Sequence, residues 1–206
     1  MSELRAPESA PVPPPLEVTT WASESARPNW SGPARKRAVW LATPATVYEE
    51  SFSSAKQSLW VASFVSDHDP DVFGELAANI DTTPGLEVRL LFNVNRRRRE
   101  RSRRHRNRTV VRRFADTFWR LGPGEDRPLV YYDRRSVDLR ARGKLHAKAV
   151  VVDEDRVFVT SANLTFAAWD DNVDLGLLVR DRTVAKGILT HFRRLIDMDY
   201  LRQLPK

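Results

Sequence analysis

His146 and Lys148 stand two residues apart in Lys144-Leu145-His146-Ala147-Lys148-Ala149-Val150-Val151-Val152-Asp153, a strand-like run that is apolar in its second half. An extended chain sends residues i and i+2 to the same face, so the imidazole and the ammonium project together. The chain returns as Arg156-Val157-Phe158-Val159-Thr160-Ser161-Ala162-Asn163, whose end offers Ser161 and Asn163 at the same spacing, and Asn172 with Asp174 makes a third pair. Each pair sits at one end of an apolar strand candidate, where a polar group is costly unless it meets a partner or a ligand. Convergence of the three pairs would set an imidazole, able to attack or exchange a proton near neutral pH, beside an ammonium, an amide and a carboxylate. In a chain of this composition, chance placement of Lys at +2, Asp at +7 and Asn at +17 from a His is on the order of 3 in 10,000. The other histidines lack the pattern: His68 precedes Asp69-Pro70, His105 precedes Arg106-Asn107, and His191 falls in the last helical segment.

The run His146-x-Lys148-x4-Asp153, followed by Thr160-Ser161-Ala162-Asn163, resembles the signature of the phospholipase D superfamily, with Thr160 where Gly is usual. Members of the small bacterial nuclease type carry an acidic residue thirteen positions after the signature Ser. Here that residue is Asp174, where Glu is usual. Trp30-Ser31-Gly32-Pro33, the strand around Leu59 to Phe64, Ser161 to Thr165, Asn172 to Gly176 and His191 to Ile196 resemble the phospholipase D-like component of bacterial DISARM anti-phage defence systems. That resemblance covers about residues 30 to 200. It implies a phospholipase D-like fold and a metal-independent phosphodiesterase without a cofactor, with defence-system proteins as possible partners.

Metal-free hydrolysis of a phosphodiester needs a nucleophile, an acid for the leaving alkoxide and donors around the phosphoryl oxygens. The resemblance implies that His146 attacks phosphorus to give a phosphohistidine, which water then hydrolyses. It implies that Lys148 and Asn163 hold the non-bridging oxygens and that Asp174 accepts the other imidazole N–H, with Ser161 a donor behind them. Asp153 belongs to the signature, yet it lies an odd seven positions from His146 and is expected to secure the turn or a neighbouring cation. The superfamily mechanism uses two such histidines and this chain has one signature, so a homodimer with two-fold symmetry sharing one active site is implied. Two imidazoles that close titrate as a coupled pair.

The elements that must position these residues follow from periodicity. Thr43-Pro44 reads as a helix start and the spacing predicts a helix to about Gln57, then a strand from Ser58 to Val65. Asp69-Pro70 opens a helix through Ile80, and Leu86 to Phe92 reads as a strand, which together make a βαβ unit. Val110, Val111, Phe114, Phe118 and Leu121 recur as on an amphipathic helix that ends at Gly122-Pro123-Gly124. Strands follow at Leu129 to Asp133, Lys144 to Asp153, Arg156 to Ser161 and Val173 to Val179, before a helix near Val184 to Ile196. Alternation of strands and helices predicts an α/β domain with a mixed central sheet flanked by helices on both faces. Trp60, Trp119 and Phe64 read as core from their apolar settings.

The chain has 206 residues, 41% hydrophobic and 30% charged, enough for one domain with a sizeable core. Residues 1 to 33 hold 7 of the 13 prolines and read as a flexible N-terminal arm, leaving 34–206 as the catalytic domain. Trp21 and Trp30 lie in that arm. The N-terminus lacks a signal-peptide pattern and no apolar run reaches membrane-spanning length, so a cytoplasmic protein is expected. Absence of cysteine excludes disulfides and thiolate chemistry within the chain.

Net charge is +7, and 11 arginines against the single acid Glu100 between Arg96 and Arg113 account for more than all of it. Arg96, Arg97, Arg98, Arg99, Arg101, Arg103, Arg104, Arg106 and Arg108, within the segment 95–113, have the density of a phosphate-backbone contact. The block has almost no interleaved apolar residues, which argues against a membrane-surface helix. A nuclease acting on DNA or RNA is therefore the favoured expectation. A phospholipase or phosphatidyltransferase acting on lipid, and a nucleic-acid-binding module without turnover, are the alternatives.

Overall fold

The computed structural model describes residues 17–20, 38–42, 44–64, 70–96, 106–121, 128–141, 143–165 and 174–206. The expected features at Trp21, Trp30, Thr43, His68, His105, Gly122 to Gly124, Asn172 and the six arginines Arg97 to Arg99, Arg101, Arg103 and Arg104 lie outside the described residues.

Strands β1 (Glu17–Thr20) and β2 (Ala38–Ala42) precede helix α1 (Pro44–Ser54), and the unit β3 (Ser58–Ser63), α2 (Pro70–Thr82), β4 (Glu87–Asn93) follows. Helix α3 (Asn107–Leu121) leads to β5 (Leu129–Asp133) and a 3-10 turn at Arg134–Ser136. Then come β6 (Ala149–Val152), β7 (Arg156–Thr160), β8 (Gly176–Arg180), helix α4 (Arg182–Asp197) and β9 (Leu201–Gln203). The nine described strands form one sheet in the order β1-β2-β8-β7-β6-β3-β4-β5-β9. β3, β4 and β5 are mutually parallel, as helix crossovers require, and β6, β7 and β8 run antiparallel to their neighbours.

The mixed sheet has helices on both faces, as its alternating pattern predicts. On one face Tyr48 and Phe52 of α1, Phe73 and Leu76 of α2, and Phe114 and Phe118 of α3 pack with Val61, Leu90, Val150 and Phe158. On the other, Ala185, Leu189 and Phe192 of α4 cover Trp60, Leu91, Val151 and Val157. Central strands buried on both faces read as continuous apolar runs, which explains Leu59-Trp60-Val61-Ala62 and Ala149 to Val152. Gly176 is needed by this packing, because a Cβ there would lie 2.2 Å from the buried Phe158 ring.

Three strands escape the periodic reading. β1, within the stretch expected to be a flexible arm, pairs in parallel with β2, and β2 pairs antiparallel with β8. β9 is only three residues long, yet it caps the far edge by pairing with β5, and Leu201 and Leu204 are buried there. The strand expected over Lys144 to Asp153 is shorter: β6 starts at Ala149, and residues 143–148 lie outside the ladder.

Candidate active site

Register brings the chemistry to one end of the sheet. β3, β4 and β5 finish there in Ser63, Asn93 and Asp133; β6, antiparallel to β3 with Ala62 opposite Ala149, begins there just after His146 and Lys148. β7 ends there in Thr160, opposite Gly176 at the start of β8, so Ser161, Asn163 and Asp174 arrive from the other side. The Thr160 N–H donates to the Lys148 carbonyl at 3.2 Å, joining the two halves.

Lys148 Nζ stands 3.4 Å from His146 Nδ1 and also donates to the His146 carbonyl at 3.3 Å. The imidazole is exposed and the lysine is 9% exposed, so a substrate reaching the ring meets an ammonium withdrawn from bulk water. Burial lowers the proton affinity of Lys148, and the Asp174 carboxylate opposes that shift. The Phe64 ring lies 4.7 Å from the imidazole, with Lys144 and Lys148 at 5.9 and 5.7 Å from its centre. Phe64 is half-buried at the site rather than in the core, because β3 ends one residue before it; Trp60 and Trp119 are buried as expected.

Ser161 Oγ donates to Asp174 Oδ1 at 2.5 Å and accepts from the Leu175 N–H at 3.1 Å. Among the described residues, the carboxylate takes its side-chain hydrogen bond from Ser161 and none from the imidazole. Thr160 ties the same turn, donating to the Leu175 carbonyl and accepting from the Ala162 N–H, both at 3.0 Å. Asn163 follows on a segment anchored on both sides: the Tyr48 hydroxyl donates to the Ala162 carbonyl at 3.3 Å and the Leu164 N–H donates to Ser63 Oγ at 3.0 Å. The Asn163 Oδ1 atom is buried without a hydrogen-bond partner among the described residues. Burial and the nearby Asp174 charge both raise the pKa of the Tyr48 hydroxyl, which therefore stays protonated.

Asp153 is elsewhere. It and Glu154 form the β6–β7 turn with positive φ of 51° and 54°, closed by the Asp155 N–H on the Val152 carbonyl. The loop between the paired Val152 and Arg156 is the three residues Asp153 to Asp155, and Asp tolerates the left-handed region better than most side chains. Its carboxylate accepts from the backbone N–H groups of Lys56, Gln57 and Ser58 at 2.7 to 3.2 Å and lies 3.8 Å from Arg156.

Of the arginine block, three described members divide in role. Arg96 Nε donates to the Val137 carbonyl at 2.7 Å and its guanidinium also meets Asn107, which ties the start of α3 to the segment after β5. Arg106 and Arg108 are exposed. Arg108 continues into an open groove on α3 lined by Arg112, Arg113 and Arg120 with Asp116.

With the site assembled, similarity to known proteins can be placed on it. Residues 48–196 match the family model described as cardiolipin synthase, PLD-like domain. The chain belongs to the phospholipase D-like family. No curated protein is significantly similar to it in sequence. Solved structures share the fold at low identity. The phospholipase D family member Nuc from Salmonella typhimurium is 18% identical with a TM-score of 0.56, covering 83% of this chain and all of that one. NucT from Helicobacter pylori is 16% identical with a TM-score of 0.51, covering 79% and 96%. Phosphatidylserine synthase from Haemophilus influenzae Rd KW20 is 16% identical with a TM-score of 0.55, and the match covers 82% of this chain but 39% of the synthase. The protein is thus a phospholipase D superfamily phosphodiesterase with the fold its signature implies.

Around this phospholipase D-like site stand residues that spacing alone did not single out: Tyr48, Phe64, Asn93 and Asp133. Asn93 and Asp133 are buried polar residues closing apolar strands. That was their signal, since the carboxyl ends of parallel strands are where α/β sheets gather function. Tyr48 carried none, as it sits among the apolar positions of α1.

Proposed function

We infer that this phospholipase D-like protein is a metal-independent nuclease of bacterial anti-phage defence, cleaving DNA or RNA through a phosphohistidine at His146, with residues 34–206 as the catalytic unit. The observation that carries the reading is the exposed imidazole facing a buried ammonium at 3.4 Å, at the sheet end where Ser161 holds Asp174. An accessible nucleophile next to a preorganised cation suits a reaction in which charge builds on phosphoryl oxygens. Attack by the neutral ring nitrogen forms the N–P bond as the P–O bond to the leaving alkoxide breaks. Water then attacks phosphorus, giving its proton to the group that protonated the leaving oxygen, and the electron pair of the N–P bond returns to the imidazole.

Nucleic acid is favoured over lipid by charge placement. The start of α3, tied by Arg96 to the segment after β5, carries Arg106 and Arg108 at the same end of the sheet as His146. Among the described residues, no helix is long and apolar enough to cross a membrane. The structural neighbours Nuc and NucT fit the same reading. The protonated partner for the leaving oxygen would come from His146 of a second copy across a two-fold axis. Exposed Leu175, Leu177 and Val159 beside the Asp174 strand offer apolar surface for that association.

The test is cleavage of labelled single-stranded and duplex DNA and RNA in EDTA, by the wild type and by His146→Ala. Cleavage lost in the variant supports the assignment. Binding without cleavage in both proteins, or turnover of phospholipid vesicles instead, would replace it with one of the alternative readings.

A further inference from the structure

Leu145, the residue before the nucleophile, belongs to no strand ladder, yet both its backbone polar groups are held. Its N–H donates to Asp133 Oδ2 at 2.7 Å and its carbonyl accepts from Asn93 Nδ2 at 2.5 Å. Asn93 and Asp133 are register partners at the last positions of β4 and β5, so the two grips come from one rung of the sheet. Both are buried. Asp133 is itself fixed by Arg135, which donates to both carboxylate oxygens at 2.7 to 3.2 Å. Asn93 reaches further, since the same amide nitrogen donates to the Phe64 carbonyl at 3.2 Å, and the Phe64 ring rests on the imidazole. Its Oδ1 is left buried without a partner among the described residues. A buried orphan acceptor is costly, so the amide's orientation is set by the two carbonyls it bridges and not by its own satisfaction.

We propose that Asn93, backed by Asp133, is a positioning residue for catalysis: it fixes the backbone before His146 and the aromatic ring against it, and so aims the nucleophile. The proposal rests on the hydrolase reading of the site. The Leu145 side chain is buried in the core, but its backbone, outside any ladder, is held only by these two side chains among the described hydrogen bonds, and small misplacement of a reacting atom is enough to cost about 100-fold in rate.

Asn79 supplies a matched control. Its buried amide also bridges two carbonyls, of Phe52 and Ala55 at 2.6 and 2.9 Å, but on α2 and away from the site. The experiment compares Asn93→Ala, Asn93→Asp and Asn79→Ala in the full chain, using bis-p-nitrophenyl phosphate, thermal melts and the NMR titration of the His146 ring. Asn93→Asp keeps the shape and sets acceptors against both carbonyls. Expected are kcat values about 100-fold low in both Asn93 variants with KM within twofold, a displaced His146 resonance, and wild-type kcat per folded molecule in Asn79→Ala. Wild-type kcat in folded Asn93→Ala, or losses that track the unfolded fraction equally at both sites, would overturn the positioning role. A wild type without turnover would overturn the hydrolase reading alone, and an unchanged His146 titration in the Asn93 variants would then overturn the clamp as well.

Discussion

The Lys148 ammonium and the His146 imidazole face one another across 3.4 Å, one buried and one open to solvent. Burial pulls the lysine's proton affinity down, and the Asp174 carboxylate pulls it back up. On the proposed mechanism Lys148 must stay charged to hold phosphoryl oxygens. Replacing Asp174 by Asn keeps the shape and the acceptor for Ser161 while removing the charge, so the lysine loses its proton at a lower pH. The alkaline limb of the kcat profile of Asp174→Asn should therefore move to lower pH. A limb that stays in place would separate the two charges functionally.

Ser161 donates the one side-chain hydrogen bond that Asp174 receives among the described residues, at 2.5 Å. A hydrogen bond to a charged group contributes about 1.5 to 3 kcal/mol. If it aims the carboxylate, Ser161→Ala should lower kcat by about tenfold or more with little change in KM, since 1.4 kcal/mol is a factor of ten. Steady-state kinetics on the small phosphodiester checks this, and an unchanged kcat would leave Ser161 a role in the turn alone.

Much of this was legible in the residue order because strand alternation and signature spacing are local. His146 with Lys148, and Ser161 with Asn163, follow from the chain itself, as do the apolar runs of β3 to β7. What was not legible depends on register. Asn93 and Asp133 meet at Leu145 only because β4 and β5 pair one residue opposite the other, and a single sequence does not display pairing. β9 was missed because three residues are too short to show a period. Phe64 read as core because its neighbours are apolar, although the strand stops before it.

The β6–β7 turn gives Asp153 a stability role. Its carboxylate collects three backbone N–H groups from the α1–β3 connection. Loss of these acceptors in Asp153→Ala should reduce unfolding free energy by about 1 to 3 kcal/mol, read by urea denaturation. The folded fraction should retain kcat within about twofold, a statement of no effect beyond the ordinary scatter of surface changes. A kcat collapse in well-folded Asp153→Ala would return the residue to the chemistry.

The described arginines differ in their partners, and the proposed function gives them different tasks. Arg96 is engaged with Val137 and Asn107, whereas Arg108, Arg112 and Arg120 are exposed along α3, Arg112 in a solvent-exposed ion pair with Asp116 at 3.4 Å. Changing those three to Gln should flatten the slope of log affinity for nucleic acid against log salt by about 2 units on single strands and about 3 on duplex DNA, if each meets a phosphate. Turnover of bis-p-nitrophenyl phosphate should be unaffected. Arg96→Gln, by contrast, should lower thermal stability, because it unties α3 from the segment that follows β5. Equal loss of binding and small-substrate turnover in the triple variant would assign these arginines to the fold.

On the proposed mechanism, in which His146 of a second copy protonates the leaving oxygen, turnover requires two copies to associate. Leu177 of β8 is register partner of Val159 of β7, both are exposed, and exposed Leu175 lies between Asp174 and the start of β8. An apolar contact that carries binding energy costs about 2 kcal/mol or more when disrupted, which is about a 30-fold weaker dimer. Leu177→Glu should therefore lower both the dimer fraction in sedimentation and the specific activity, with activity recovering as protein concentration rises. Wild-type specific activity should itself fall on dilution through the dissociation constant. Because His146 is exposed and lacks a second imidazole in its own protomer's signature, a strict monomer with full activity at high dilution would mean that water, or another group of the same chain, protonates the leaving oxygen.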